Sequence, residues 1–375
     1  MATRFSPASA ILAAPVRVLA DRIVPSNVAP RLVEDLDPRW FDQILGLPSG
    51  SVRSCEIRDI DHGTSLRVRA EVFHDGGSTT LFIKHTPTRV AARTFNLVSR
   101  LCEHEVYFYG QRAAETGCAP TALAAQWHGP TGRSTLVLPD LNAEGFAFVE
   151  IAEKCSSDQA ATAVEAMANL HRTFWGAKRF DPRREYVPAN MMSAWGNPML
   201  CRYLGGTPER LEEHLPPGFA AQARIIRDRS GDMSALFNSF DQTFVHNDSH
   251  QGNIAFRADR AVLLDWQVCA VGSAIKDFAY FLATADTELR RAHERELLAL
   301  YLAALSAGDG PVIGWDDAWR AYRVLAVTGY IAAAVTSLFG DRLQNVDNVR
   351  TGMLRAAAAL VDLDSFTAVG AALAT

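Results

Sequence analysis

The stretch His246-Asn247-Asp248-Ser249-His250-Gln251-Gly252-Asn253, followed by Leu263-Leu264-Asp265-Trp266, decides how the rest of the chain is read. Phe244 to His246, Ile254 to Phe256 and Val262 to Leu264 read as short strands around a polar loop. A carboxylate sits on that loop, an amide follows it, and a second carboxylate stands at a strand end. Phosphoryl transfer from ATP needs this set: one carboxylate orients the attacking hydroxyl and accepts its proton, while an amide oxygen and another carboxylate hold Mg²⁺. Two other readings stay open. Asp248 and Asn253 could close Asx-turns in a surface loop. His246, Asp248 and His250 alternate, would share one face of an extended segment and could ligate zinc, although Gly252 and Asp265 are then unexplained.

Outward from the loop, the chain is largely helical from Ser157 onward, with Ala- and Leu-rich segments. Before it the pattern differs. Asp37-Pro38-Arg39-Trp40 reads as a helix start, with Asp37 as N-cap, Pro38 at the first helical position and Gly46 as the stop. Leu66, Val68, Ala70 and Val72 alternate with Arg67, Arg69, Glu71 and Phe73, the period of a strand with one wet face. Asp75-Gly76-Gly77 supplies a turn and Thr79 to Ile83 the returning strand. A helix from about Arg93 to Ala114 follows, then two short strands near Leu123 and at Thr135 to Leu138. The 375 residues therefore suit an α+β chain of two lobes: residues 1–138, an N-terminal extension and a small antiparallel-sheet lobe, and residues 139–375, a larger, mainly helical lobe.

Composition narrows the partners. With 48% apolar and 21% charged residues the chain is an ordinary globular protein, and a net charge of -5 leaves no electrostatic footprint for nucleic acid or an anionic membrane. No apolar run approaches the roughly 18 residues of a membrane span. Ala8 to Ala20 is interrupted by Pro15 and Arg17, which makes it a poor signal peptide and a reasonable short surface helix. The six cysteines are scattered without a Cys-x-x-Cys pair, which argues against disulfides or structural zinc and for a reducing cytoplasm. Only Lys84, Lys154, Lys178 and Lys276 are lysines, against a background of arginine. Lys84, at the end of the apolar strand Leu81-Phe82-Ile83, suggests a need for a compact point charge near phosphate.

The loop resembles the His-Gly-Asp-x-His-x-x-Asn signature of the aminoglycoside phosphotransferase and choline kinase superfamily, closest to the ecdysteroid-kinase-like branch and its bacterial relatives, and the resemblance runs from about Leu36 to the C-terminal helices. It implies a protein-kinase-like two-lobed fold, with Asp248 as catalytic base, Asn253 and Asp265 as Mg²⁺ ligands and His246 as a brace. Asn247 stands where the family has glycine, and asparagine tolerates the positive φ that glycine would supply. By the same resemblance Lys84 touches the ATP phosphates and pairs with Glu105, and Gly63, Thr64 and Ser65 form the phosphate-covering turn. Leu136-Val137-Leu138-Pro139-Asp140-Leu141 matches the hinge, where the Pro139 carbonyl and the Leu141 N–H would meet adenine. Asp277 would hydrogen-bond the catalytic-loop backbone, and His171 and Trp175 would be core.

The function so implied is ATP- and Mg²⁺-dependent phosphorylation of a hydroxyl on a small molecule, with no protein, nucleic-acid or membrane partner. Asn190 to Trp195, Tyr322 to Leu338, and Trp315 with Trp319 are candidate acceptor walls poor in carboxylates, which favours an apolar alcohol such as a steroid or macrolide. An aminoglycoside or choline-type acceptor is the alternative. Readings of another class are a catalytically silent nucleotide-binding protein and a zinc-dependent hydrolase.

Overall fold

In the computed structural model the described residues are 7–21, 23, 29–62, 64–87, 89–176, 214–337 and 345–374. They divide into two compact units: the first runs to Phe146, except that Thr116–Cys118 belong to the second, which takes the remainder.

The first unit contains α1 (Pro7–Ala20), α2 (Pro38–Ile44), β1 (Val52–His62), β2 (Leu66–His74), β3 (Gly77–His85), α3 (Val90–Ser99), α4 (Leu101–Gln111), the one-turn α5 (Ala113–Thr116), β4 (Ala124–His128) and β5 (Arg133–Pro139). The strands form one sheet in the order β1-β2-β3-β5-β4, every neighbouring pair antiparallel. The alternation read from the sequence sets its faces. Val68, Ala70 and Val72 are fully buried, packed with Phe41, Leu81, Ile83 and Val137, and each large aliphatic side chain so placed contributes about 1.5–3 kcal/mol. Pairing of His74 with Gly77 leaves Asp75-Gly76 as a two-residue connection. Helix α2 starts as its sequence dictates, with Asp37 Oδ1 accepting the Trp40 N–H at 2.8 Å.

One expectation needs correction. The helix expected from Arg93 to Ala114 is broken at Arg100, which has φ 59°. The cause is Asn96. Its Oδ1 accepts the Cys102 N–H at 3.1 Å, satisfying a donor in the first turn of α4, while its Nδ2 donates to the Thr64 carbonyl at 2.7 Å. A side chain that caps the following turn competes with continuation of its own helix. Upstream of the sheet, α1 packs on α3. Just beyond it the buried Asp21 carboxylate takes Arg133 Nε and, at 3.2 Å, the Arg93 guanidinium. Arg133 also donates to the Asp21 carbonyl at 2.9 Å.

The second unit holds β6 (Ala147–Phe148), α6 (Ser157–Thr173), α7 (Phe219–Asp228), α8 (Ser230–Asn238), β7 (Gln242–Val245), β8 (Ile254–Arg257), β9 (Arg260–Leu263), β10 (Ala270–Ser273), α9 (Ile275–Thr284), α10 (Thr287–Leu305), α11 (Trp315–Leu325), α12 (Val327–Ser337), α13 (Val346–Asp362) and α14 (Ser365–Ala372). Its strands form two small sheets, β6-β8-β9 and β10-β7. Ser156 and Gln159 cap α6 reciprocally, the side chain of each meeting the backbone of the other. Every residue of α9 is buried, and α6, α10, α11, α12 and α13 pack against it. The α+β architecture expected from the sequence, a small antiparallel sheet unit and a larger helical one, is borne out. Among the described residues no helix is long and apolar enough to cross a membrane.

Candidate active site

Strand β7 delivers the chain into a loop whose backbone is gripped from below by α9. Asp277, in the first turn of that helix, accepts the main-chain N–H of His246 at 2.7 Å and that of Asn247 at 2.8 Å. His171 Nε2 lies 3.0 Å from the same carboxylate, and its Nδ1 is 2.7 Å from the Tyr301 hydroxyl. Ser249 Oγ donates to the Asp277 carbonyl at 2.8 Å. Burial opposes the Asp277 charge, but the His171 ring and the loop N–H groups outweigh it and hold the carboxyl below its ordinary range. His171 is thus buried, yet it does more than pack. Trp175, expected in the core, is only half-buried; the core position at that turn belongs to Phe174.

His246 ties the loop to the strand that follows. Its Nε2 donates to the Leu264 carbonyl at 2.7 Å, its Nδ1 accepts the Asp248 N–H at 3.3 Å, and its ring stands edge-on to Trp266 at 4.5 Å. Burial lowers its pKa against the pull of Asp277 and Asp248, so the ring is neutral. Both nitrogens are engaged, which takes His246 out of the alternative zinc triad. Among the described residues no group of three or more His, Cys, Asp or Glu side chains is placed to hold a metal.

Asn247 has φ 72°, the left-handed conformation that explains why the glycine of the related signature can be replaced by asparagine and by few other residues. Its amide is fixed at both ends. Nδ2 donates to the Val268 carbonyl at 2.9 Å, and Oδ1 accepts from the ammonium of Lys276. Burial pushes the Lys276 pKa down to about 8 even though Asp277 and Asp248 oppose the shift.

The Asp248 carboxylate is one-third exposed and both oxygens have donors. Tyr280 OH donates to Oδ1 at 2.9 Å, and Asn253 Nδ2 donates to Oδ2 at 2.9 Å and to the Asp248 carbonyl at 2.9 Å. Burial and the Asp248 charge raise the Tyr280 pKa well above its ordinary value, so the phenol keeps its proton and donates. The two bonds to Asp248 commit the Asn253 nitrogen and thereby turn its amide oxygen the other way. Asp265 lies beyond β9 in a left-handed conformation, φ 61° and ψ 62°. It is held there by fully buried Trp266, whose indole N–H reaches the Leu263 carbonyl at 2.9 Å. The Leu264 N–H donates to the Asn253 carbonyl at 2.8 Å, so the strand ends bearing Asn253 and Asp265 are stitched together. An amide oxygen and a carboxylate are hard oxygen donors and suit Mg²⁺.

In the first unit, Lys84 Nζ on β3 and Glu105 Oε1 on α4 are 2.7 Å apart, with side chains 8% and 3% exposed. A pair this dry persists only where each charge needs the other. Thr64 is half-buried with its carbonyl on Asn96, and Ser65 is buried with no hydrogen-bond partner for its Oγ among the described residues; Gly63 lies outside the described residues. Pro139 ends β5 opposite Leu81, and Leu141 is buried with its carbonyl accepting the Phe146 N–H at 3.0 Å.

The acceptor walls fare differently. Asn190 to Trp195 lie outside the described residues. Tyr322 to Ser337 is mostly core, with Tyr322, Val324, Leu325, Val327 and Tyr330 buried. Trp315 and Trp319 stack at 6.0 Å, with Arg295 lying 4.4 Å over the Trp319 ring. Sequence reasoning missed Lys276 and Tyr280. The available signals were the scarcity of lysine, which marks Lys276, and the spacing of both around Asp277 on α9, one residue before it and three after, which puts all three on neighbouring faces of one helix.

The class defined by this fold and loop is the kinase-like one, and the comparisons agree. Residues 210–308, the stretch that carries the whole loop and Asp265, match the model of the ecdysteroid kinase-like family. A choline/ethanolamine kinase family protein from Mesorhizobium loti shares the fold at 15% identity and a TM-score of 0.51, over 85% of this chain and 92% of that one. Choline kinase from Cryptosporidium parvum does so at 11% identity and a TM-score of 0.53, over 96% and 99%. No curated protein sequence matches the chain. The expected resemblance is borne out in the fold, which the chain shares with these kinases, and in residues 210–308, which match the ecdysteroid kinase-like family.

Proposed function

We propose that the protein is a small-molecule kinase that transfers the γ-phosphate of ATP, with Mg²⁺, to an alcohol. The observation that carries this reading is the arrangement at Asp248: a partly exposed carboxylate braced on both oxygens, beside an asparagine whose amide oxygen is turned away from it. Asp248 would orient the acceptor hydroxyl and take its proton as the hydroxyl oxygen bonds to phosphorus and the bond to the bridging oxygen of ADP breaks. Lys84, fixed by Glu105, would bind the phosphates, with Thr64 and Ser65 in the covering turn and Pro139 and Leu141 beside the adenine. Asn253 and Asp265 would hold Mg²⁺, which when bound neutralises charge on the phosphate oxygens. His246 and Asp277 keep the loop in shape.

The finer reading is that the acceptor is neutral. Lys276, a buried cation on the Asp248 side of α9, disfavours a polycationic acceptor, whose pocket should instead be rich in carboxylates. A hydroxysteroid-like or macrolide-like alcohol therefore ranks above an aminoglycoside or choline. A cytoplasmic location suits the thiols: Cys102, Cys118 and Cys155 are buried, and burial pushes them up to about 11, 12 and 11.

The test is calorimetry with Mg-ATP followed by ADP release across a panel of hydroxysteroids, macrolides, aminoglycosides and choline, using wild type and Asp248→Asn. The variant should bind Mg-ATP like wild type and turn over about a hundredfold more slowly or worse. Wild-type-like turnover in Asp248→Asn would end the mechanism, and absence of Mg-ATP binding by wild type would end the kinase reading. Preference for the cationic sugars would remove the neutral-acceptor reading alone.

A further inference from the structure

Helix α9 meets the catalytic loop with three side chains from its first two turns. Lys276 takes the Asn247 amide, Asp277 takes two loop N–H groups, and Tyr280, one turn on, takes Asp248 Oδ1 at 2.9 Å. The first two contacts shape the backbone. The third reaches the reacting carboxylate itself. We propose, on the basis of the kinase reading, that Tyr280 is a positioning residue that sets the orientation of the Asp248 carboxylate toward the acceptor hydroxyl.

A carboxylate turns easily about its last bond unless both oxygens are held. Asn253 Nδ2 holds Oδ2 at 2.9 Å, but Asn253 is also a candidate metal ligand, and one contact to a group with a second task fixes the plane poorly. Tyr280 supplies the other point. Its ring is only 6% exposed and stands edge-on to His250 at 6.2 Å. It also meets α12, where Gly329 comes so close that a Cβ there would lie 3.2 Å from Tyr280 Cδ2. The ring therefore has little freedom, and its hydroxyl is a fixed donor. Each carboxylate oxygen keeps a further lone pair for the substrate, so the phenol steers Asp248 without blocking it.

Tyr280→Phe removes the donor and keeps the ring in place. The experiment measures ADP release from Mg-ATP with the same acceptor panel, Mg-ATP affinity by calorimetry, and thermal midpoint, in wild type, Tyr280→Phe, Asp248→Asn and the double variant. Expected is a loss in kcat of about ten- to a hundredfold in Tyr280→Phe, since a misplaced catalytic group costs rate steeply. The KM for ATP and the thermal midpoint should stay close to wild type. In the Asp248→Asn background the same change should alter the residual rate by less than about twofold, because a residue that acts through Asp248 has nothing left to act on. Unchanged kcat in Tyr280→Phe, or an equal loss in both backgrounds, overturns the inference and leaves the kinase reading standing. If wild type neither binds nor consumes Mg-ATP, the kinase reading falls and this inference with it.

Discussion

His171 Nε2 stands 3.0 Å from Asp277 Oδ2, and neither side chain meets solvent. The pair lies beneath the loop from His246 to Asn253, and its carboxylate also carries the backbone of His246 and Asn247. Asp277→Ala strands those buried donors together with the His171 ring. Equilibrium urea unfolding should show a loss of about 3–5 kcal/mol, the usual cost of removing one partner from a buried charged network. The folded pKa of Asp277 lies below 3.8, so its contribution is present at neutral pH and fades as pH falls beneath that value. A loss under about 1 kcal/mol would mean that the loop holds its shape without this group.

Lys276 acts in a different pH window. Its pKa is lowered from 10.5 to about 8 by burial. Below that value both folded and unfolded chains carry the proton, and the folded chain bears the cost of the buried charge. Between pH 8 and 10.5 only the unfolded chain binds it, so stability rises with pH across that window. Wild type should gain up to roughly 3 kcal/mol over Lys276→Met in that range, taking about 1.4 kcal/mol per unit. A flat difference between the two proteins would show that the amine is not titrating in the folded state.

The Lys84–Glu105 pair separates stability from catalysis. Lys84→Met leaves a buried carboxylate and should cost about 3–5 kcal/mol. The double change Lys84→Met/Glu105→Leu should recover most of that, because an apolar pair of similar volume replaces both charges. ATP-dependent turnover should be lost in both. Turnover restored by the double variant would remove Lys84 from the proposed phosphate contacts.

At Asn247 the backbone decides. With φ at 72°, Asn247→Gly keeps the conformation and forfeits only the amide contacts. Asn247→Val adds left-handed strain of about 1–2 kcal/mol or more. Thermal unfolding should rank wild type above Gly above Val, and a Val variant as stable as Gly would contradict the left-handed assignment.

The segment between Asp265 and Asp277 is filled by a short turn at Trp266–Val268 and by β10, which pairs with β7. Nothing in it resembles a long docking segment for a polypeptide, so casein-type substrates should remain unlabelled when small alcohols are phosphorylated. Robust labelling that disappears in Asp248→Asn would reverse that conclusion.

These features were unequally legible in the sequence. The period of two from Leu66 to Val72 fixed β2 and its faces, because one wet face and one dry face leave a local pattern. The turn at Asp75-Gly76 fixed its partner. The loop from His246 to Asn253 was legible because its polar residues interrupt apolar strands. What was not legible depends on partners distant in the chain. His171 read as core because Asp277 is 106 residues away, and Tyr280 drew no reading because Asp248 is 32 residues away. Trp175 fails the reverse way, since an apolar residue four positions from a buried one need not be buried when its helix ends at Thr173. The break at Arg100 was hidden because Asn96 looks like an ordinary helix residue until Thr64 and Cys102 are brought to it.

Asp21 carries a practical lesson for anyone trimming this protein. Because its carboxylate meets both Arg93 on α3 and Arg133 on β5, a shortened chain that begins at Ala29 would keep the entire sheet and still lose the anion shared by two buried guanidiniums. Poor solubility or weak nucleotide affinity in such a version would then report the missing carboxylate and say nothing about the catalytic residues, so the protein is best tested with everything from α1 onward left in place.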